Sequence, residues 1–328
     1  MGAPSSGRVP DFFLVGHQKC GTTALHLMLS QHPRIFMPAV KEPRYFATDL
    51  RSRFARAEAP AGRPTTLTGY MALYAAAQPE QLAGDASATY LRSREAAAGI
   101  AAVQPGARIV AVFREPASYL RSFHLQLLQS NVEDERDLRR ALELETERRE
   151  GRRVPAHSHH PEALLYSEHV RYREQLERFH AAFPREQVLA LIYEDFRRDN
   201  VATFKQILDF LDVEEAGEPA APIEPVHTRP VRESRSATLH RMVSRVRLAS
   251  RAPERTGPLA RTAAAMVPQA MRTPEFGKRW RRVVYADQRP PDESLMRELR
   301  ARYKGEVEAF GSYLGRDLID LWGYAQDG

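Results

Sequence analysis

One junction near the start of the chain constrains its fold more than any other feature. Val9 to Val15 (Val-Pro-Asp-Phe-Phe-Leu-Val) is a short apolar run, Gly16 ends it, and Thr23 to Gln31 carries Leu25, Leu27, Met28 and Leu29 at helical spacing. That order reads as strand, glycine-bounded loop, helix. Two further runs, 107–113 (Ala-Arg-Ile-Val-Ala-Val-Phe) and 187–193 (Gln-Val-Leu-Ala-Leu-Ile-Tyr), are nearly continuous in apolar residues, as strands covered on both faces are. Helices are expected between them. One is capped by Ser93, runs to about Val103 and is stopped by Pro105-Gly106; another spans about Ala117 to Gln129. Strands alternating with helices predict an α/β fold, a parallel β-sheet flanked by helices in three layers.

With 328 residues the chain can bury a sizeable core unaided, and its single cysteine, Cys20, excludes a disulfide framework and a multi-thiolate metal site. A reducing cytoplasm suits it, and no stretch reads as a membrane span or signal peptide. Of the 48 basic residues only five are lysines (Lys19, Lys41, Lys205, Lys278, Lys304). Each lysine kept in an arginine-rich chain raises the question of what an ammonium does there that a guanidinium cannot. The formal charge of +6 is uneven: residues 229–282 carry 14 basic against 3 acidic residues, a local +11, which leaves the remainder at −5. A mildly acidic body with one basic segment does not suit a general nucleic-acid binder.

The junction itself reads Gly16-His17-Gln18-Lys19-Cys20-Gly21-Thr22-Thr23. Glycines let the backbone turn its N–H groups inward, and a helix N-terminus adds about half a positive charge, so the place suits a phosphate-like anion. The Gly16 to Gly21 spacing is that of the nucleotide P-loop, but Thr22 stands where an NTPase has its lysine, and the cation sits inside the loop at Lys19. The second strand ends in Phe113-Arg114-Glu115-Pro116, an arginine where nucleotide-hydrolysing enzymes hold magnesium with an acid. That disfavours metal-dependent ATP chemistry. Ser122, eight residues after Arg114 and on the next helix, could converge with it on a second phosphate. A nucleotide phosphorylated at two ends would need such a pair.

These strings, Val-Gly-His-Gln-Lys-Cys-Gly-Thr-Thr-Ala-Leu at 15–25, Lys41-Glu42-Pro43-Arg44-Tyr45-Phe46, Phe-Arg-Glu-Pro-x5-Ser at 113–122 and Tyr193-Glu194-Asp195-Phe196, resemble the sulfotransferases that use 3′-phosphoadenosine 5′-phosphosulfate (PAPS), most nearly their carbohydrate-type and bacterial branch. The resemblance covers most of residues 9–213. It implies that Lys19, Gly21, Thr22 and Thr23 bind the 5′-phosphosulfate, that Arg114 and Ser122 bind the 3′-phosphate, and that Glu42 is the catalytic base. Asp85 stands in reserve for that role. The acceptor would be a hydroxyl of a small molecule, lipid or sugar, and no metal is required. The chain departs from the glycan-acting members at Arg44, often a histidine, at Tyr119, usually an arginine, and at Ala86, commonly a lysine. Loss of that lysine counts against an acidic polysaccharide acceptor.

Sulfuryl transfer needs the acceptor oxygen and the leaving phosphate oxygen in line, with the charge developing on the leaving side stabilised. Lys19 suits the second task. Glu42 suits removal of the acceptor proton if burial raises its pKa; the bland alternative is an ion pair with Lys41 or Arg44. His124, a third candidate for the base, is expected rather to serve packing, and His157, His159 and His160 to form a polar loop. The charge-dense stretch 133–153 reads as a solvated helix with i,i+4 ion pairs, and Tyr172 to Phe183 as a packing helix. The expected organisation is one domain: a core of about 9–213, a proline-rich linker at 214–233, and a basic helical part at 234–328. The latter includes an amphipathic stripe (Leu239, Met242, Val243, Val246) and a long helix from Asp292 toward Trp322. Arg232, Arg235 and Gly277-Lys278-Arg279 are candidates for a further 3′-phosphate contact. The competing readings are a P-loop kinase and a non-enzymatic module that binds anionic surfaces, such as membranes, through residues 229–282.

Overall fold

The structure is a computed structural model, and it describes residues 7–50, 63–156, 158–214, 233–234, 285–286 and 290–327. Five parallel strands form the central sheet: β1 (Phe12–Gly16), β2 (Ile35–Phe36), β3 (Leu82–Asp85), β4 (Arg108–Phe113) and β5 (Val188–Ile192), in the order β2-β3-β1-β4-β5. β1 pairs Leu14 with Val110 of β4 and Phe13 with Asp85 of β3. Every residue of β1 is buried, which explains its unbroken apolar run. β3 was not anticipated, because Leu-Ala-Gly-Asp has little strand propensity; Gly84 is required there, since a Cβ would lie 2.2 Å from the Phe12 ring. The β1 connection crosses to one side of the sheet and the β4 connection to the other. Their C-terminal ends therefore bound the crevice in which open α/β sheets bind ligands.

The helices are α1 (Thr22–Leu29), α2 (Leu67–Met71), α3 (Ala96–Val103), α4 (Pro116–Gln129), α5 (Leu138–Glu143), α6 (Glu145–Arg149), α7 (Tyr166–His169), α8 (Tyr172–Ala182), α9 (Tyr193–Arg198), α10 (Asn200–Leu211), α11 (Glu293–Leu314) and α12 (Leu318–Leu321). Ser93 Oγ accepts from the Glu95 and Ala96 amides, capping α3 as its sequence suggests. α11 lies over the core, with the Phe310 ring 4.6 Å from that of Phe113 and 5.6 Å from that of Tyr172. Phe310 is fully buried, a contribution of about 1.5–3 kcal/mol. Beyond α12 the chain returns to the sheet: Trp322 Nε1 donates to Glu194 and Tyr324 Oη to Glu115, at 2.9 and 2.7 Å.

The stretch 133–153 differs from its expected form. It is two short helices, α5 and α6, and its first acid turns inward: the side chains of Glu133 and Arg148 are 0% and 1% exposed and make two hydrogen bonds of 2.7 Å. Tyr166 and the amides of Asp134 and Glu135 also donate to Glu133. Composition counts charges without regard to which of them find partners inside. β6 (Glu233–Ser234) and β7 (Tyr285–Ala286) form an antiparallel pair. The stripe at 239–246, Arg232, Arg235, Gly277-Lys278-Arg279, most of the basic segment and His157 lie outside the described residues.

Candidate functional site

The loop after β1 is built around two glycines that cannot be replaced cheaply. Gly16 has φ +153°, and a Cβ there would meet the Val112 carbonyl at 2.8 Å; Gly21 has φ +85° and faces the rings of Phe196 and Tyr193 at 3.1–3.2 Å. Gly21 is the N-cap of α1. No side chain caps that helix and its first turn contains no acid, so the amides of its first turn open toward the loop's concave side. Thr22 is buried and Thr23 exposed at that end.

Lys19 lies inside the loop with a left-handed φ of +72°, and Glu42 and Arg44 both sit at +55°. Left-handed backbone in residues with a Cβ costs of order 1 kcal/mol each, so each of the three is held by its surroundings. Burial, then the Arg114 charge, lowers the Lys19 pKa, so this ammonium sits where an anion would relieve it. Arg114, at the tip of β4, reaches the same loop. Its Nη1 donates to the Lys19 carbonyl at 2.9 Å, its guanidinium lies 4.7 Å from the Tyr193 ring centre, and its Nε is buried without a partner. Tyr172 Oη holds the Arg114 carbonyl at 2.9 Å, and Glu115 caps α4 through the Ala117 and Ser118 amides. Ser122 is half-buried on α4.

His17 and Cys20 serve the loop as packing. Burial takes His17 down to about pKa 3, and its neutral ring donates from Nε2 to Gln175 Oε1 at 2.7 Å. Gln175 is in turn oriented by donating to the Glu168 carbonyl. The helix that carries it, α8, therefore does more than pack. Burial pushes the Cys20 thiol up to about 12, which leaves it unreactive.

The second candidate group follows β2 and leans on the residues after β3. The Glu42 amide donates to the Ala86 carbonyl at 3.2 Å and the Arg44 amide to Ser87 Oγ at 3.1 Å. The Glu42 carboxylate is gripped by the Arg44 guanidinium, Nε at 2.9 Å and Nη2 closer, with Lys41 Nζ at 3.5 Å. This corrects the expectation that burial raises its pKa. Burial does push it up, but the charges of Arg44 and Lys41 outweigh burial and hold the carboxyl below its usual range. Asp85, fully buried, behaves the opposite way: burial pushes it up to about 6, while Tyr70 and Tyr90 donate to it at 2.7 and 3.0 Å. His124 is buried against Tyr166 Oη and the Arg136 carbonyl, away from these groups. His160 contacts Glu162 at 3.1 Å, and among the described residues no group of three or more His, Cys, Asp or Glu is arranged to hold a metal.

A cavity of about 240 Å³ is lined by Gly16, His17 and Gln18 of the loop and by Arg44, while Lys19, Arg114, Ser122, Glu42 and Asp85 do not line it. Arg92 and Thr89, which follow β3, also line it. No motif in the sequence marks either residue; only the pairing of β3 with β1 brings them here. No helix among the described residues is long and apolar enough to cross a membrane.

A family model described as the sulfotransferase family matches residues 10–217. Among solved structures, a sulfotransferase from Alicyclobacillus acidocaldarius is similar across 96% of this chain and 99% of its own, at 23% identity and a TM-score of 0.65, which shows a shared fold. A sulfotransferase domain from the curacin biosynthetic pathway is 16% identical over 68% of this chain and 80% of its own (TM-score 0.44), and a mouse sulfotransferase complexed with PAP is 19% identical over 66% and 63% (TM-score 0.41). No curated protein matches the sequence.

Proposed function

Because the chain belongs to the sulfotransferase family, we propose that it transfers the sulfuryl group of PAPS to a hydroxyl of an acceptor held in the 240 Å³ cavity. The observation that carries this reading is the tie between Arg114 and the Lys19 carbonyl, which joins a cation inside an anion-binding loop to a second cation across the crevice. The residues fit such a donor. The loop keeps a tight backbone turn that a Cβ at Gly16 or Gly21 would disrupt, α1 presents uncapped amides, and Arg114 Nε lacks a partner. Lys19, Gly21, Thr22 and Thr23 would hold the 5′-phosphosulfate; Arg114 and Ser122 would hold the 3′-phosphate.

In the reaction the acceptor oxygen forms a bond to sulfur as the bond from sulfur to the 5′-phosphate oxygen breaks, and PAP leaves carrying the added negative charge. Lys19 and the α1 amides neutralise that charge as it develops. The acceptor proton passes to Glu42, whose carboxylate is already ionised in the grip of Arg44. Chemistry of this kind asks the protein for position and electrostatics.

Calorimetric titration tests the donor assignment. PAP should bind in the presence of EDTA, and ATP should bind more weakly with or without magnesium. Tighter, magnesium-dependent binding of ATP would overturn the reading in favour of a kinase.

A further inference from the structure

Two arginines line the cavity, and only one of them is held in an ion pair among the described residues. Arg44 points its guanidinium at Glu42 and is neutralised there. Arg92 is different: among the described residues its guanidinium makes no ion pair and one hydrogen bond, from Nη1 to the Glu162 backbone carbonyl at 3.3 Å. The Glu162 carboxylate lines the same cavity but is turned to His160 Nδ1 at 3.1 Å. Burial disfavours the charged form of Arg92, yet a guanidinium stays protonated under all working conditions. Its remaining donors border the cavity, and nearby Thr89 Oγ1 is buried without a partner. Opposite them Tyr119, Phe123 and Leu127 of α4 supply an apolar wall. Glu162 and Asp49 act on Arg92 only from a distance, so a half-buried guanidinium that makes no ion pair at the cavity edge is suited to an anionic ligand.

We propose that Arg92 recognises a carboxylate on the acceptor, so that the acceptor is a small hydroxy acid whose apolar body lies against Tyr119, Phe123 and Leu127. This rests on the reading of the adjoining loop as the sulfuryl-donor site. A cavity of about 240 Å³ has room for a compact acid. A planar carboxylate matches the guanidinium fork, and Thr89 can donate to the same group. The hydroxyl end would then be turned toward Gly16–Gln18 and the donor.

The test needs no knowledge of the natural acceptor. PAP-loaded protein is titrated with phenylacetate and with its neutral isostere phenylacetamide. The wild type should prefer the carboxylate by roughly tenfold or more, the discrimination expected of one charge-assisted pair. Arg92→Gln should erase that preference, Arg92→Lys should keep part of it, and the affinity for PAP should change less than twofold in both. Equal binding of the two probes by the wild type, no binding of phenylacetate, or a preference that survives Arg92→Gln would overturn the proposal. Failure of PAP itself to bind is a separate outcome, read in the same titrations. It would remove the donor assignment, while the carboxylate preference would still decide the role of Arg92.

Discussion

Arg114 Nη1 donates to the carbonyl oxygen of Lys19 at 2.9 Å, so the tip of β4 and the loop after β1 form one unit across the crevice. The bond uses a loop carbonyl and keeps two cations at close quarters, an arrangement that costs stability until an anion joins it. Arg114→Ala should therefore weaken PAP by tenfold or more, since it removes both a loop anchor and a charged donor. Arg114→Lys should recover only part of this, because an ammonium cannot hold the carbonyl and face an anion with one fork. Calorimetry on the three proteins reads the result.

The two candidate bases have opposite environments, and the acid limb of the rate separates them. Glu42 acts in its ionised form and its pKa is held below the usual 4.5, so transfer should stay level as pH falls through 6 and decline only in the more acidic range. If Asp85 were the base, the decline would centre near 6. A kcat profile with an inflection near 6 that disappears in Asp85→Asn would move the role to Asp85. Glu42→Gln should lower kcat and leave PAP affinity nearly unchanged.

Asp85 also carries a stability signature. Its folded-state pKa of about 6 lies above the ordinary 3.8, so the folded protein binds the proton more tightly than the unfolded chain does. Its destabilising effect is absent below about pH 4 and complete above about 6, on the order of 3 kcal/mol. Urea unfolding across that range should show the wild type losing stability relative to Asp85→Asn as pH rises. Parallel curves would contradict this assignment.

Arg148 neutralises the buried Glu133 behind the cavity wall, where Tyr166 links Glu133 to His124 of α4. Arg148→Met leaves a buried carboxylate without its counter-ion and should cost about 3–5 kcal/mol. The double variant Glu133→Leu/Arg148→Met should recover much of that loss. Chemical denaturation of the single and double variants measures both.

The strongest elements were legible in the sequence because long apolar runs and glycine punctuation report local geometry. β1, β4, β5, α1, α3 and α4 fall within a few residues of their expected positions. β2 and β3 were not, since two and four residues carry no periodicity and their pairing is decided by the rest of the sheet. The loop residues, Arg114 and Glu42 stand in recognisable strings. The grip of Arg44 on Glu42, the support of His17 by Gln175, and the clamp of Trp322 and Tyr324 on Glu194 and Glu115 depend on contacts over long sequence separations. Arg92 illustrates the limit most clearly. In an arginine-rich chain nothing distinguishes it until the fold sets its guanidinium at a cavity with no ion-pair partner among the described residues.

The central claim is that Lys19 stabilises the charge that develops on the leaving phosphate, and radiolabelled sulfuryl transfer from PAPS by Lys19→Ala tests it most directly. The account predicts a loss of at least about a hundredfold in transfer, with an unfolding temperature close to that of the wild type, since the bond from Arg114 to the loop is made to the Lys19 backbone carbonyl, which the variant keeps. Turnover in Lys19→Ala equal to that of the wild type would contradict it.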